Sequence, residues 1–502
     1  MPVGTATPPV RSAGDSVSTG GTPSIITDVA GNRPDDGGDA IIDHRWRALA
    51  ICLVAVFMTG LDVSIVNVAV PSIQHDLNSS EDGIQWILSG YALMFGLVLV
   101  PSGRLGDAIG RRRLFLVGVI AFSVASLGCG LSPNAQWLVF ARFVQGAAAG
   151  CVVPQVSGLI QQMFLGAERG RAFGALGATM GVATASGPAL GGLLITLAGE
   201  QAGWRSVFMV NVPIGIVLVL LARRQLPSGR VAGERQDLDP VGVLLLGTGV
   251  LALLLPFVEY RQWSGNLKWL LLPVAAVLLV AFVHWEHRHR RAGGTPLVDL
   301  ELFRFRSYRL GAALGTAYFA GFTGIFFSFT LYLQNGLRYS PLEAGLAITP
   351  FAIGSALGAL SGGRRVVRHG RVVVVLGNGV VILGLTVTLL LDMVATARIG
   401  LLLALPLFVA GFGSGHVIAP NQALALSQVP PAGGGSAAGV VQTGQRIGTA
   451  VGIAATGLVF FSTLDQGWPA AFQRGMVVIL GFVTIALSIG ILDLFLTRRE
   501  KR

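Results

Sequence analysis

Asp62, in the stretch LDVSIVNVAVP (61–71), is the clearest acid set well inside an apolar run. A charge at the centre of a membrane helix costs about 2.5–3.5 kcal/mol, so such a group faces protein or a water-filled cavity rather than lipid. Burial and a neighbouring cation act in opposite senses on its protonation. That suits a proton-binding switch; the plainer alternative is a capped structural Asp near a span end. Arg142 and Gln145, three apart in FARFVQGAAAG (140–150), share one helix face. Arg142 needs an acceptor. Asp62 is the intramembrane candidate; the alternatives are a loop acid or a side chain reaching back to water. Asn67 fits a polar cavity or an interhelical hydrogen bond. Gln442 and Arg446, four apart, also share a face. There Arg446 would hold an anionic substrate or, as the plainer reading, pair across a pore. Phe322 and Phe326 belong to an aromatic run from Tyr318 to Tyr332. Such rings hold flat, greasy, cationic ligands, or else face lipid and core.

Two further stretches offer mechanics rather than binding. The connector SGRLGDAIGRRRL (102–114) sets Asp107 among Arg104, Arg111, Arg112 and Arg113, with Gly103, Gly106 and Gly110 interleaved. The glycines permit a tight backbone and close helix approach. The charges suit a latch between rigid bodies. Arginine alone would suffice to fix loop orientation; the ordered Gly, Asp and Gly would not be needed for that. In GVATASGPALGG (181–192), Gly187, Gly191 and Gly192 leave a helix face bare for close packing. Pro188 leaves a carbonyl unpaired and kinks the helix, so this segment is a candidate bending point or seal.

The chain that must position these residues has 502 residues, 52% hydrophobic and 12% charged. A soluble chain carries about a quarter charged. Repeated apolar runs of about 20 residues, without period-2 alternation, indicate a polytopic all-α membrane protein and not a barrel. Fourteen spans are predicted between residues 47 and 496, the seventh and eighth at 239–258 and 268–285. Residues 1–42, rich in Gly, Pro, Ser and Asp, read as a disordered cytoplasmic tail. Residues 43–225 then form a six-helix bundle, 226–290 two inserted helices, and 291–502 a second six-helix bundle. An echo supports two related halves. SGGRRVVRHGRVVVVLGN (361–378) matches the connector at an offset of 260, with Val367 where Asp107 stands. Of the 36 Lys and Arg residues, 26 lie on one side of the spans and six on the other, which predicts both termini cytoplasmic. The net charge of +11 lies mostly in short loops, so nucleic acid is not an expected partner. Cys52, Cys129 and Cys151 read as packing residues, and the run His284, His287, His289 as a span end rather than a metal site. No phosphate-binding loop, zinc helix or nucleophile elbow is present. The expectation is a non-enzyme without metal or cofactor.

These motifs together resemble the major facilitator superfamily, in its fourteen-helix drug:proton antiporter branch, over roughly residues 45–500. GRLGDAIGRRR is similar to the loop motif between spans two and three, LDVSIVNVAVP to the span-one motif, RFVQG to the span-four motif and ATASGPALGG to the antiporter motif of span five. WRSVFMVNVPIG (204–215) fits the same branch. The resemblance implies a major facilitator fold in the plasma (inner) membrane and a monomer in the lipid bilayer. It implies export of hydrophobic, often cationic drugs or biocides in exchange for protons. Asp62 with Arg142 would couple protonation to rocking. Asp107 with its arginines, and Gly187 to Gly192, would gate. Asn67, Gln145, Phe322, Phe326, Gln442 and Arg446 would line the substrate path. Dication exporters of the family use an extra acid in the second half, which spans twelve and thirteen here lack. The rival expectations are a dedicated exporter of one endogenous compound and a transport-dead sensor.

Overall fold

The computed structural model describes residues 37–199, 203–227, 239–258, 265, 267–394 and 399–500. The chain divides into a unit of residues 1–44 and a unit of residues 45–502. The expected tail lies outside the described residues up to residue 36, and a helix begins at Gly37, inside the stretch read as tail.

Among the described residues the regular structure is helical throughout. The first group comprises α1 (Gly37–Asp76), α2 (Glu81–Ile109), α3 (Arg111–Gly130), α4 (Ala135–Met163), α5 (Gly166–Ala198), α6 (Trp204–Met209) and α7 (Asn211–Gln225). Next come α8 (Pro240–Val258) and α9 (Leu271–Arg291), which pack on each other. The last group is α10 (Arg306–Leu331), α11 (Pro341–His369), α12 (Arg371–Val394), α13 (Ile399–Leu402), α14 (Ala404–Ala425), α15 (Gly434–Ser462) and α16 (Trp468–Glu500). Helices suit apolar surroundings because they satisfy every backbone polar group internally. Their starts carry local caps. Ser80 Oγ accepts from Gly83 N, Asn134 Oδ1 from Trp137 N, and Ser340 and Glu343 form a capping box. The echoed connectors each turn on a glycine at positive φ. Gly110 joins α2 to α3 at φ 106° and Gly370 joins α11 to α12 at φ 53°, both conformations that side chains disfavour.

Eleven described helices are long and apolar enough to cross a membrane. There are twelve if α5 counts as one span, its parts Gly166–Gly187 and Ala189–Ala198 bent by 43° around Pro188. This falls short of the fourteen spans predicted. The two remaining runs coincide with α14 and α15, which are helical but carry His416, Asn421, Gln422, Gln442, Gln445 and Arg446. Much of that polarity is buried against neighbouring helices, so it lowers apolarity without exposing charge to lipid. Outward-facing Val117, Val124, Leu220, Val277, Val280 and Leu383 form the exposed apolar surface a bilayer covers.

Within the first group α4 packs on α2 and α3; within the last, α14 packs on α11 and α12, and α10 on α15 and α16. The two groups meet where α5 crosses α11 and α2 crosses α15. One core cluster spans both groups, running from Phe115, Phe122 and Phe164 to Tyr308, Leu426 and Val441. A second lies within α10–α16 around Phe329, Phe351, Val381 and Phe472. A third, of Ile65, Leu138, Trp204 and Phe208, flanks Asp62.

Candidate functional site

Asp62 is fully buried, and so is Arg142. Arg142 Nη1 donates to Asp62 Oδ2 at 2.5 Å and to Gln145 Oε1 at 2.8 Å. Gln145 Nε2 donates to Asp62 Oδ1 at 2.8 Å, and Asn211 Nδ2 donates to the same oxygen at 3.2 Å. Both amides also donate to Ser126 Oγ, which itself donates to Phe208 O. Arg142 Nε reaches Ile87 O at 3.0 Å, and its guanidinium lies 4.2 Å from the Tyr91 ring centroid. The knot therefore draws on α1, α2, α3, α4, α6 and α7. Removing either member of a buried ion pair typically costs 3–5 kcal/mol, because the survivor is left charged and unpaired. Protonating Asp62 would do the same chemically. Asp62 is thus the acid at the centre of a knot that ties six helices together.

Gln145, expected on the substrate path, is instead sealed between Asp62 and Ser126. Its i, i+3 relation to Arg142 is as read, but the shared face points into the first helix group. Asn67 is exposed and donates within its own helix, to Val63 O. Ser126, Asn211 and Tyr91 were not singled out by sequence reasoning. The first two are polar residues within apolar runs, the signal that would have found them.

The connector forms a second site. Asp107, its side chain fully buried, accepts from Gly435 N (3.1 Å) and Ser436 N (2.9 Å). It thereby caps the start of α15 from the end of α2. Arg111 braces it from Nε (3.0 Å) and Nη2 (2.7 Å), and also donates to Gly158 O and, across the groups, to Pro431 O. Gly103 is necessary here: a Cβ on it would stand 2.4 Å from Gly435 O. Gly106 faces the Gln155 side chain of α4. Gln161 Nε2 donates to Gly434 O, and Gln442 Nε2 to Ser157 Oγ at 3.1 Å. Arg104 is buried beside Asp107, whereas Arg112 turns to Arg223 O of the first group. In the echoed copy, where Val367 replaces the acid, Arg371 takes Asp493 of α16 at 2.6 Å and shares it with Arg306. The missing carboxylate is supplied from another helix.

Gly187 and Gly191 bring α5 against Ser64 and Ile65 of α1, inside the first group, and a Cβ on Gly192 would meet nothing within 4 Å. The contact between groups on α5 is made by Gly170 and Gly174 against Gly363 and Ala359. Phe322 and Phe326, with Phe319 and Phe351, form a ring cluster. They line a cavity of about 70 Å³ with Met180, Thr184 and Ile418, smaller than a drug-sized ligand needs. Arg446 lies with its guanidinium 4.4 Å from the ring centroid of Phe95 on α2.

A sequence profile described as Major Facilitator Superfamily matches residues 52–297 and 310–502. The protein named "Probable actinorhodin transporter" of Streptomyces coelicolor is 38% identical over 468 residues, covering 90% of this chain and 79% of its own length. The "Puromycin resistance protein pur8" of Streptomyces alboniger is 35% identical, covering 89% of each. Among solved structures, the human organic anion transporter MFSD10 (TETRAN) superposes with a TM-score of 0.65 at 14% identity, over 89% of this chain and 99% of that one. That likeness concerns the fold alone.

Proposed function

This chain belongs to the Major Facilitator Superfamily, a multi-pass membrane transporter related to antibiotic exporters, and we propose that it is a proton-coupled antiporter exporting hydrophobic antibiotics or drugs. The reading rests above all on the buried Asp62 carboxylate held by Arg142, Gln145 and Asn211.

In this proposal the arginine-rich end is cytoplasmic and the structure is the outward-facing state, with α2 latched to α15 through Asp107. A proton from outside neutralises Asp62 and its hold on Arg142 weakens. The first group repacks, the α5–α11 and α2–α15 contacts part, and substrate enters from the cytoplasm or inner leaflet. Release of the proton inward restores the pair and resets the pump. Asp62 is sealed in this conformation, so proton entry must accompany movement of α1 against its neighbours. One proton descending ~100 mV supplies ~2.3 kcal/mol, about a 40- to 50-fold substrate gradient. The cluster of Phe322, Phe326 and Phe351 is the apolar wall of the substrate path. Counting α14 and α15 as spans, polar because they face inward, gives the fourteen-helix branch.

A narrower alternative, dedicated export of one compound, draws support from the two relatives, each named for a single antibiotic. Asp62→Asn in everted vesicles tests the main reading. Efflux driven by a pH gradient should be lost at normal protein level; undiminished efflux would remove Asp62 from the scheme. A growth-inhibition panel across antibiotics and dyes separates broad from single-compound export.

A further inference from the structure

Two arginines lie within predicted spans, Arg142 and Arg446. The first is matched by Asp62. The second stands midway along α15, half-buried, and forms no ion pair or hydrogen bond through its guanidinium among the described residues. Helices α14 and α15 carry no acid. The other buried acids of the last group are committed elsewhere: Asp392 accepts from Gln473, and Asp493 holds Arg371 and Arg306. One face of Arg446 is covered by the Phe95 ring. Its five in-plane donors are left for something absent from the chain.

The surroundings are built for a polar group. Gln442, Gln445, Arg446 and Thr449 recur at i, i+3, i+4 and i+7, one stripe along the helix. Gln442 Oε1 and Thr449 Oγ1 are buried and have no hydrogen-bond partner among the described residues. Gln445 lies against Gly315 of α10, the helix that carries Phe322 and Phe326. A cation, spare polar atoms and aromatic rings therefore sit on adjacent helices where the two groups meet. A mid-membrane charge without a counter-ion is costly, and a guanidinium pairs best with a planar oxyanion such as a carboxylate or sulfonate, or with a phenolate.

We propose that Arg446 anchors the acidic group of an aromatic substrate, so that the transporter prefers anionic over cationic members of one ring system. This rests on the export reading above and departs from the cationic drugs that the sequence resemblance implies.

The test uses two dyes built on the same xanthene ring, anionic fluorescein and cationic rhodamine 123. Binding to the purified full-length protein is followed by fluorescence polarisation. Wild type should bind fluorescein about tenfold or more tighter than rhodamine 123, and Arg446→Gln should erase that preference by weakening fluorescein about tenfold. Arg446→Lys, which keeps the charge, should retain part of it. Thermal unfolding of each variant confirms that it is folded. Equal fluorescein binding by wild type and Arg446→Gln, tighter rhodamine binding by wild type, or no binding of either dye would each overturn the proposal. Transport is read separately in proteoliposomes. Arg446-dependent fluorescein binding without flux under a pH gradient would sink the antiport reading and leave the anion site standing.

Discussion

Asp107→Asn should loosen the contact between the two helix groups at the arginine-rich end by an amount the structure allows to be worked out. The carboxylate accepts two amide bonds from the start of α15, at 2.9 and 3.1 Å, and is braced by two from Arg111. An N-cap is worth about 1 kcal/mol, and a negative charge at a helix start about 0.3–1 kcal/mol more. Asparagine keeps one acceptor oxygen but loses the charge and the pairing that orients Arg111 toward Pro431. The expected loss is about 1.5–2 kcal/mol, or 10- to 30-fold in the ratio of closed to open ends. Spin labels at Arg171 on α5 and Arg368 on α11, both exposed, report this directly. They flank the point where a Cβ on Gly170 would stand 2.6 Å from Gly363 O. Cys52, Cys129 and Cys151 are first replaced by alanine. Double electron–electron resonance should show a short distance in the parent and an added longer population in Asp107→Asn. An unchanged distribution in a variant with normal thermal stability would refute the latch.

Gly103→Ala should act on the same equilibrium by sterics, since its new methyl would meet backbone at Gly435 rather than a yielding side chain; the same labels should report more open ends. Arg142→Ala should destabilise the protein by about 3–5 kcal/mol by leaving Asp62 charged and unpaired, read as a lower melting temperature, with Arg142→Lys milder. Asp493→Asn should cost a similar amount by freeing Arg371 and Arg306, again measured by thermal unfolding. Gly110→Ala should cost about 1–3 kcal/mol, because φ is 106° with space around the residue; an unchanged melting temperature would show that the junction relaxes.

The helices were largely legible because apolar length is a local property. Every predicted span falls on helix, and the interruptions at Val210 and Leu403 came from local turns that the hydropathy pattern passes over. Partners distant in sequence were not legible. Spacing put Gln145 on the face of Arg142, but only packing of α1 and α7 against α4 reveals which way that face turns. The cap made by Asp107 joins residues 328 and 329 apart. The echo shows Val367 where Asp107 stands, but not that the fold supplies a carboxylate there from Asp493, 122 residues from Arg371. The small residues of α5 read as a bending point or a seal; the helix bends by 43° there, while the stretch 187–191 packs on α1 and the contact between groups falls nearer the start of the helix.

The central claim is that one proton on Asp62 sets the arrangement of the two halves. The Arg171–Arg368 distance, measured between pH 5.5 and pH 8 in the parent and in Asp62→Asn, tests it most directly. The parent should shift toward the longer distance as pH falls, and Asp62→Asn should hold the longer distance at every pH. The same pH dependence in both proteins would contradict the account.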